Sequence, residues 1–184
     1  KKLYLLSGAN DLTQYPTLVH EVAHALADQN FNLEKFINRA NQDDGEMARM
    51  AVMEGQATWI MMESISKRMG FSLMNNPDSG DYYANRVTEM SAGPVFEKAP
   101  LYLRETLLFP YVAGMKFQNA VFHRIRQAAF AEVFQHPPVS TQQILHPKMY
   151  FDQVAPVKVK APEIADAGEY KKLAEGVVGE LDYS

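Results

Sequence analysis

From Glu46 to Met69 the chain carries Met50, Met53, Ala57, Ile60, Met61 and Ile65 near the 3.6-residue period of an α-helix, with no proline to interrupt it. A helix of that length is roughly 35 Å long and has to be packed along its whole course, so the fold must be built around it. Gly70 stands where a left-handed residue would close the helix. Upstream, Pro16 suits the first turn of another helix, and Leu18, Val19, Val22, Ala23, Ala25 and Leu26 keep helical spacing to about Asn30. Leu3 to Ser7 reads as a short strand ending at the turn signal Ser7-Gly8-Ala9-Asn10.

Asn41 to Gly45 is a polar break, and Asn75 to Asp81 is a loop by composition. Weaker helical patterns follow at Tyr82 to Met90 and Leu101 to Phe109. Pro110 is expected to interrupt or kink what comes next, and Val112 to Phe134 reads as a further long helix stopped by His136-Pro137-Pro138. Thr141 to Leu145 reads as a helical turn, and the polar segment Glu169 to Glu175 is compatible with a helix. The expected fold class is α+β, mostly helical, in a single domain spanning residues 1–184. The chain begins without Met in what reads as mid-strand, which suggests part of a longer protein.

Composition narrows the chemistry. A net charge of -4 and a pI near 5.7, with Lys and Arg scattered, argue against nucleic acid or an anionic membrane as the main partner. No run approaches the roughly 18 apolar residues of a membrane span. There is no cysteine, which excludes disulfides, thiolate zinc sites and a cysteine nucleophile, so a metal site has to use His, Asp or Glu. The ten methionines, concentrated in the second long helix, read as adaptable core filling.

Within the first helix stands His20-Glu21-Val22-Ala23-His24. Histidines four residues apart lie about 40° apart around a helix, one turn up, so both imidazoles can converge on one ion. Glu21 points about 100° away, too far round to be a ligand beside them, yet within reach of a water on the same metal. A catalytic zinc takes three protein ligands and keeps one position open. Glu54 is the best candidate for the third: it interrupts an apolar stretch of the second long helix, where an unpaired carboxylate is costly. Gly55 beside it would let another backbone or a substrate approach closely. Asp28, Asp43, Asp44 and Glu46 are alternatives, at helix ends or in the loop, where a solvated charge is the default.

In these residues the chain resembles the glutamate-zincin metallopeptidases, the group that includes thermolysin, and more narrowly a branch of bacterial zincin-like proteins. The resemblance lies in His20 to Phe31, in Ala51 to Thr58 and in Pro137 to Pro147. It implies a zincin-like domain with zinc (Zn2+) held by His20, His24 and Glu54, Glu21 as general base, a protein or peptide substrate, and an extracytoplasmic location. In thermolysin-like proteins an Asp follows the ligand Glu by four residues. Here that position is Thr58, which can still accept from a ligand histidine N–H. The gap from His24 to Glu54 is also longer than in thermolysin itself, with room for an inserted loop.

An oxyanion donor from a separate element would complete the chemistry, and His146 and Tyr111 are the candidates. His146 lies in an irregular, proline-bounded segment, and Tyr111 follows Pro110 at a helix start. His123 is expected on a polar helix face beside Arg124 and Arg126, and His136 in the loop before two prolines. Leu3 to Ser7 could serve as an edge strand that pairs with extended substrate. Two competing readings stand beside the peptidase: a catalytically inactive zincin-like module for binding or scaffolding, and a metal-dependent hydrolase of another amide. The sequence leaves the oligomeric state open.

Overall fold

The structure is a computed structural model that describes residues 11–40, 43–91, 93–159, 168, 171, 173 and 175–183. Its axis is the long helix anticipated from the 3.6-residue pattern, observed from Asp43 to Arg68 and the longest among the described residues; we number it α3, after α1 (Asp11–Phe31) and α2 (Leu33–Asn38). Asp43, Asp44 and Glu46 in its first turn and Lys67 and Arg68 in its last complement the helix dipole. Gly70, at φ 83°, closes it. The Phe71 N–H donates to the Ser66 carbonyl at 2.9 Å and the Gly70 N–H to that of Lys67 at 3.2 Å, the paired bonds of a Schellman cap.

Three long helices surround α3. The first, α1, runs antiparallel to it: the Tyr15 hydroxyl meets Ser64 Oγ at 2.5 Å, while His20 and His24 lie opposite Glu54. Then α6 (Leu101–Ile125) runs alongside in the same direction, with Gly114 against Ala51 and Gly55, and Trp59 Nε1 donating to Asn119 Oδ1 at 3.0 Å. Finally α4 (Ser79–Ser91) runs back along α6, tied by Asn119 Nδ2 to the Pro77 carbonyl at 2.9 Å and by Lys116 to Asp81 at 2.7 Å. The Ser66 hydroxyl donates to the Tyr83 hydroxyl at 2.7 Å, joining α4 to α3 as well.

Shorter helices close the ends: α5 (Pro94–Glu97), α7 (Ala129–Gln135), α8 (Thr141–Leu145) and α9 (Pro147–Phe151). Phe134 of α7 packs against Phe31 and Phe36, with ring centroids 4.6 and 5.0 Å apart. Trp59, fully buried in the core, has its ring tilted against Phe122 at 4.8 Å and edge-on to Phe130 at 5.6 Å. The C-terminal turn Glu180–Tyr183 returns to α8, where the Leu181 N–H donates to Thr141 Oγ1 at 3.3 Å.

The mostly helical expectation is met, and among the described residues no strand forms. The strand expected at Leu3 to Ser7 lies outside the described residues, as does most of the Glu169 to Glu175 segment. Two boundaries differ from expectation. Pro110 neither breaks nor ends a helix: α6 continues through it, because packing against α3 and α4 on both sides outweighs the ~3 kcal/mol that an interior proline costs. The break falls instead at Arg126, which adopts φ 57°, so the expected helix Val112 to Phe134 is the end of α6, a turn at Arg126–Ala128, and α7. Arg126 donates there to the Met74 carbonyl at 3.1 Å, a long-range contact with no local signature. Among the described residues no helix is long and apolar enough to cross a membrane.

Candidate metal centre

The buried Ala23 and Ala27 set the face that α1 turns toward α3 and leave His20 and His24 on the adjoining edge. Glu54 rises from the middle of α3 to meet them. His20 Nε2 lies 3.1 Å from Glu54 Oε2, His24 Nε2 lies 3.1 Å from the same oxygen, and the two nitrogens are 2.9 Å apart. The three side chains are only 13%, 17% and 15% exposed. Among the described residues this is the one group of three His, Cys, Asp or Glu side chains whose donor atoms come together as metal ligands would.

Protons alone do not satisfy this triangle. If both Nε2 atoms carry hydrogen, the 2.9 Å contact between them sets two donors face to face; if either lacks it, that nitrogen presents a lone pair to an ionised carboxylate. A cation at the centre satisfies all three atoms at once. The dimensions agree: ligands of a tetrahedral zinc at about 2.0–2.1 Å lie about 3.3 Å apart, a few tenths of an ångström from these separations. Two imidazoles and a carboxylate, with no thiolate, are also a donor set that zinc accepts in catalytic sites.

Burial pushes the Glu54 carboxyl up, but hydrogen bonds from His20 and His24, and then their charge, outweigh it and bring its pKa down to about 2. A depressed carboxyl adds stability that is complete above its usual value near 4.5 and is lost as pH falls through about 2. In the metal-free protein, acid unfolding of wild type and Glu54→Gln should therefore diverge above pH ~4.5 and converge near pH 2. Parallel curves across that window would show that the histidines do not hold Glu54 ionised.

Two further groups lie near the triangle. Glu21 is exposed on α1, beside His20 and outside the triangle. Tyr111 arrives from α6, its ring stacked 6.1 Å from that of His20 at 26°. Burial raises the pKa of its hydroxyl, and so do the charges of Glu54 and Glu21 and a hydrogen bond to Glu54. The approach of α6 depends on a contact without side chains: a Cβ on Gly55 would lie 2.1 Å from the Gly114 carbonyl carbon. The close approach expected at Gly55 is made by the backbone of α6, three residues from Tyr111.

His146 is placed elsewhere. Its ring is half exposed and its Nε2 meets Glu180 Oε1 at 2.6 Å, in the segment that follows α8. The first residue of α8, Thr141, donates its N–H to Asp44 Oδ1 at 3.1 Å, and Asp44 to Glu54 is about 15 Å along a helix. Two of the alternative carboxylates have local tasks of their own: Asp28 Oδ1 accepts from the Leu33 N–H at 3.1 Å, and Asp44 anchors Thr141. Thr58 does not take the role of accepting from a ligand histidine. It is 1% exposed and its Oγ1 has no hydrogen-bond partner, although it borders the same cavity as His20.

The remaining histidines have structural partners. His123 is half-buried rather than on a free polar face, with Nε2 2.9 Å from the Leu73 carbonyl. His136, exposed, meets Glu132 at 3.1 Å. Sequence reasoning missed Val87 and Met90 of α4, which border a cavity with His20 and Tyr111. Nothing local in the Tyr82 to Met90 pattern marks them, because α4 is brought to the site by its packing on α6 and by its contact with α3. Comparisons with protein-family models, with curated proteins and with solved structures find no match. The reading of this site therefore rests on its residues and their geometry.

Proposed function

We propose that this protein is a zinc-dependent peptidase, with His20, His24 and Glu54 as metal ligands, in line with the resemblance to the glutamate-zincins. The observation that carries the proposal is the His20–His24–Glu54 triangle, which a cation satisfies and protons do not. Zinc bound there would supply a Lewis acid for the scissile carbonyl and a water whose pKa is lowered toward neutrality. Glu21, next to His20 in the chain and exposed, would serve as the general base, taking a proton from the attacking water and giving it to the leaving amine. The Tyr111 phenol, kept protonated by its raised pKa, donates a hydrogen bond to the developing oxyanion.

The test is elemental analysis followed by cleavage of a quenched peptide library with and without chelator. Zinc near one equivalent and chelator-sensitive cleavage are expected. Glu54→Gln should lower zinc affinity by more than about 100-fold, since even partners behind the ligands are worth 10–100-fold. Stoichiometric zinc without cleavage of any peptide would replace the peptidase by a binding module. Cleavage confined to non-peptide amides would make it a different amidohydrolase. Iron in place of zinc, or no metal when zinc is offered, would sink the proposal.

A further inference from the structure

Arg104 differs from every other basic side chain on the four long helices. Arg49 donates to the Phe36 carbonyl at 3.0 Å, and Lys67, Arg86 and Lys116 pair with Glu63, Glu89 and Asp81. Arg68 and Arg124 lie over the rings of Tyr15 and Phe151. The Nε of Arg104, in contrast, is shut off from water without a hydrogen-bond partner, and among the described residues its side chain forms no ion pair. The sequence explains why. The residues three and four places away on α6, its neighbours on a helix surface, are Pro100, Leu101, Leu107 and Leu108, and no side chain among them can accept a hydrogen bond. Glu105, next in the chain, points about 100° away. The first turn of α6 holds no acidic residue to offset a cation at the less favourable end of the helix dipole.

We propose that the N-terminal half of α6 is a docking surface for a helix of another protein, one that presents an Asp or Glu to Arg104 with apolar residues around it. The surface is apolar and open: Leu101, Leu103 and Leu107 are 62%, 49% and 61% exposed, and clustered exposed leucines of this kind mark sites of association. Charge selects the occupant. A carboxylate can accept from Nε and a terminal N–H of the guanidinium together, the two-bond fork that lysine cannot offer. The leucines around it would keep water off that pair once a partner covers them, which is how an arginine comes to dominate an interface. Shape suits a helix, because Leu103 and Leu107 form one i,i+4 row and Arg104 and Leu108 the next, a ridge pattern that opposing helices interdigitate. A second copy is disfavoured: packing this surface on itself about a two-fold axis would bring Arg104 toward its own counterpart. Tyr111, seven residues on, is about 20° round and about 10 Å away. The surface thus borders the candidate metal centre but contains none of its three ligands, and the proposal does not rest on the peptidase reading.

The probe is an array of peptides of about 15 residues, the length at which isolated helices begin to form, with leucine at helical spacing and the remaining positions randomised. Their central position carries Glu, Gln or Lys. The full chain should bind the best Glu peptides saturably and at least about ten-fold more tightly than any Gln or Lys peptide. Arg104→Gln should weaken the Glu peptides by about 30-fold, and Arg104→Glu should reverse the preference toward Lys. Leu107→Asp, at an exposed position, should abolish binding of all three sets, whereas Val157→Asp, exposed on the segment after α9, should change nothing. Circular dichroism checks the fold of each variant. No saturable binding, Gln or Lys peptides bound as tightly as Glu peptides, or a preference that Arg104→Glu leaves unmoved would overturn the proposal. A dimer in sedimentation that Leu107→Asp disperses would give the surface to a second copy and overturn it as well.

Discussion

Glu21→Gln is expected to lower turnover of a cleavable peptide by about 10²–10⁴-fold while zinc stays near one equivalent. The substitution keeps the shape of the side chain and removes only its capacity to take a proton. Glu21 is exposed and stands outside the His20–His24–Glu54 triangle, so neither packing nor metal binding depends on its charge. The measurements are kcat and bound zinc on one preparation, with circular dichroism to check the fold. Retained turnover would remove Glu21 from the mechanism, and loss of zinc would show that it belongs to the ligand set. Tyr111→Phe in the same assay would report separately on the proposed oxyanion donor.

Gly114→Ala should destabilise the protein by ~3 kcal/mol or more, because no side chain can yield to the new methyl. A Cβ there would lie 2.1 Å from the Ala51 carbonyl oxygen and 2.9 Å from its carbon, both backbone atoms of α3. The helices have to part, and at 2–4 °C per kcal/mol for a chain of this size the melting temperature should fall by about 6–12 °C. All three proposed ligands lie on α1 and α3, whereas Tyr111 lies on α6. Zinc should therefore remain bound below the new melting temperature while kcat drops, as Tyr111 is carried away from Glu54 and His20. Thermal melts and zinc content check both halves. A melting temperature within 2 °C of wild type would mean that the α3–α6 contact is looser than its geometry.

What could be read from the sequence was what neighbouring residues decide among themselves. The helical runs that became α1 and α3 follow from apolar spacing, and the convergence of His20 and His24 follows from their separation by one turn. The end of α3 follows from Gly70, whose φ of 83° few other residues adopt without strain. Glu54 stood out as a carboxylate in an apolar stretch, and the structure sets its Oε2 within 3.1 Å of both histidines. That Glu54, rather than Asp28, Asp43, Asp44 or Glu46, lies opposite both histidines follows from α1 running antiparallel along the middle of α3.

The rest is a matter of which helix lies against which, and residues distant in the chain set that. Tyr111 and His146 are both candidates in the sequence, each a polar ring near a proline, with His146 the stronger of the two. The Gly55–Gly114 contact brings one to the histidines, while the anchoring of Thr141 on Asp44 holds the other at the opposite part of α3. Pro110 left α6 intact because packing on both sides outweighs a local cost, and Arg126 ended it through contacts made far along the chain. Thr58 was legible as a residue one turn beyond Glu54, but not as a buried hydroxyl without a partner. By itself the sequence determined that His20, Glu21 and His24, two proposed ligands and a proposed base, stand together, because one turn of helix places them. Only the tertiary structure decided that Glu54 meets the two histidines, that Tyr111 stands beside them and that an apolar hollow adjoins them, because each depends on the close packing of separate helices.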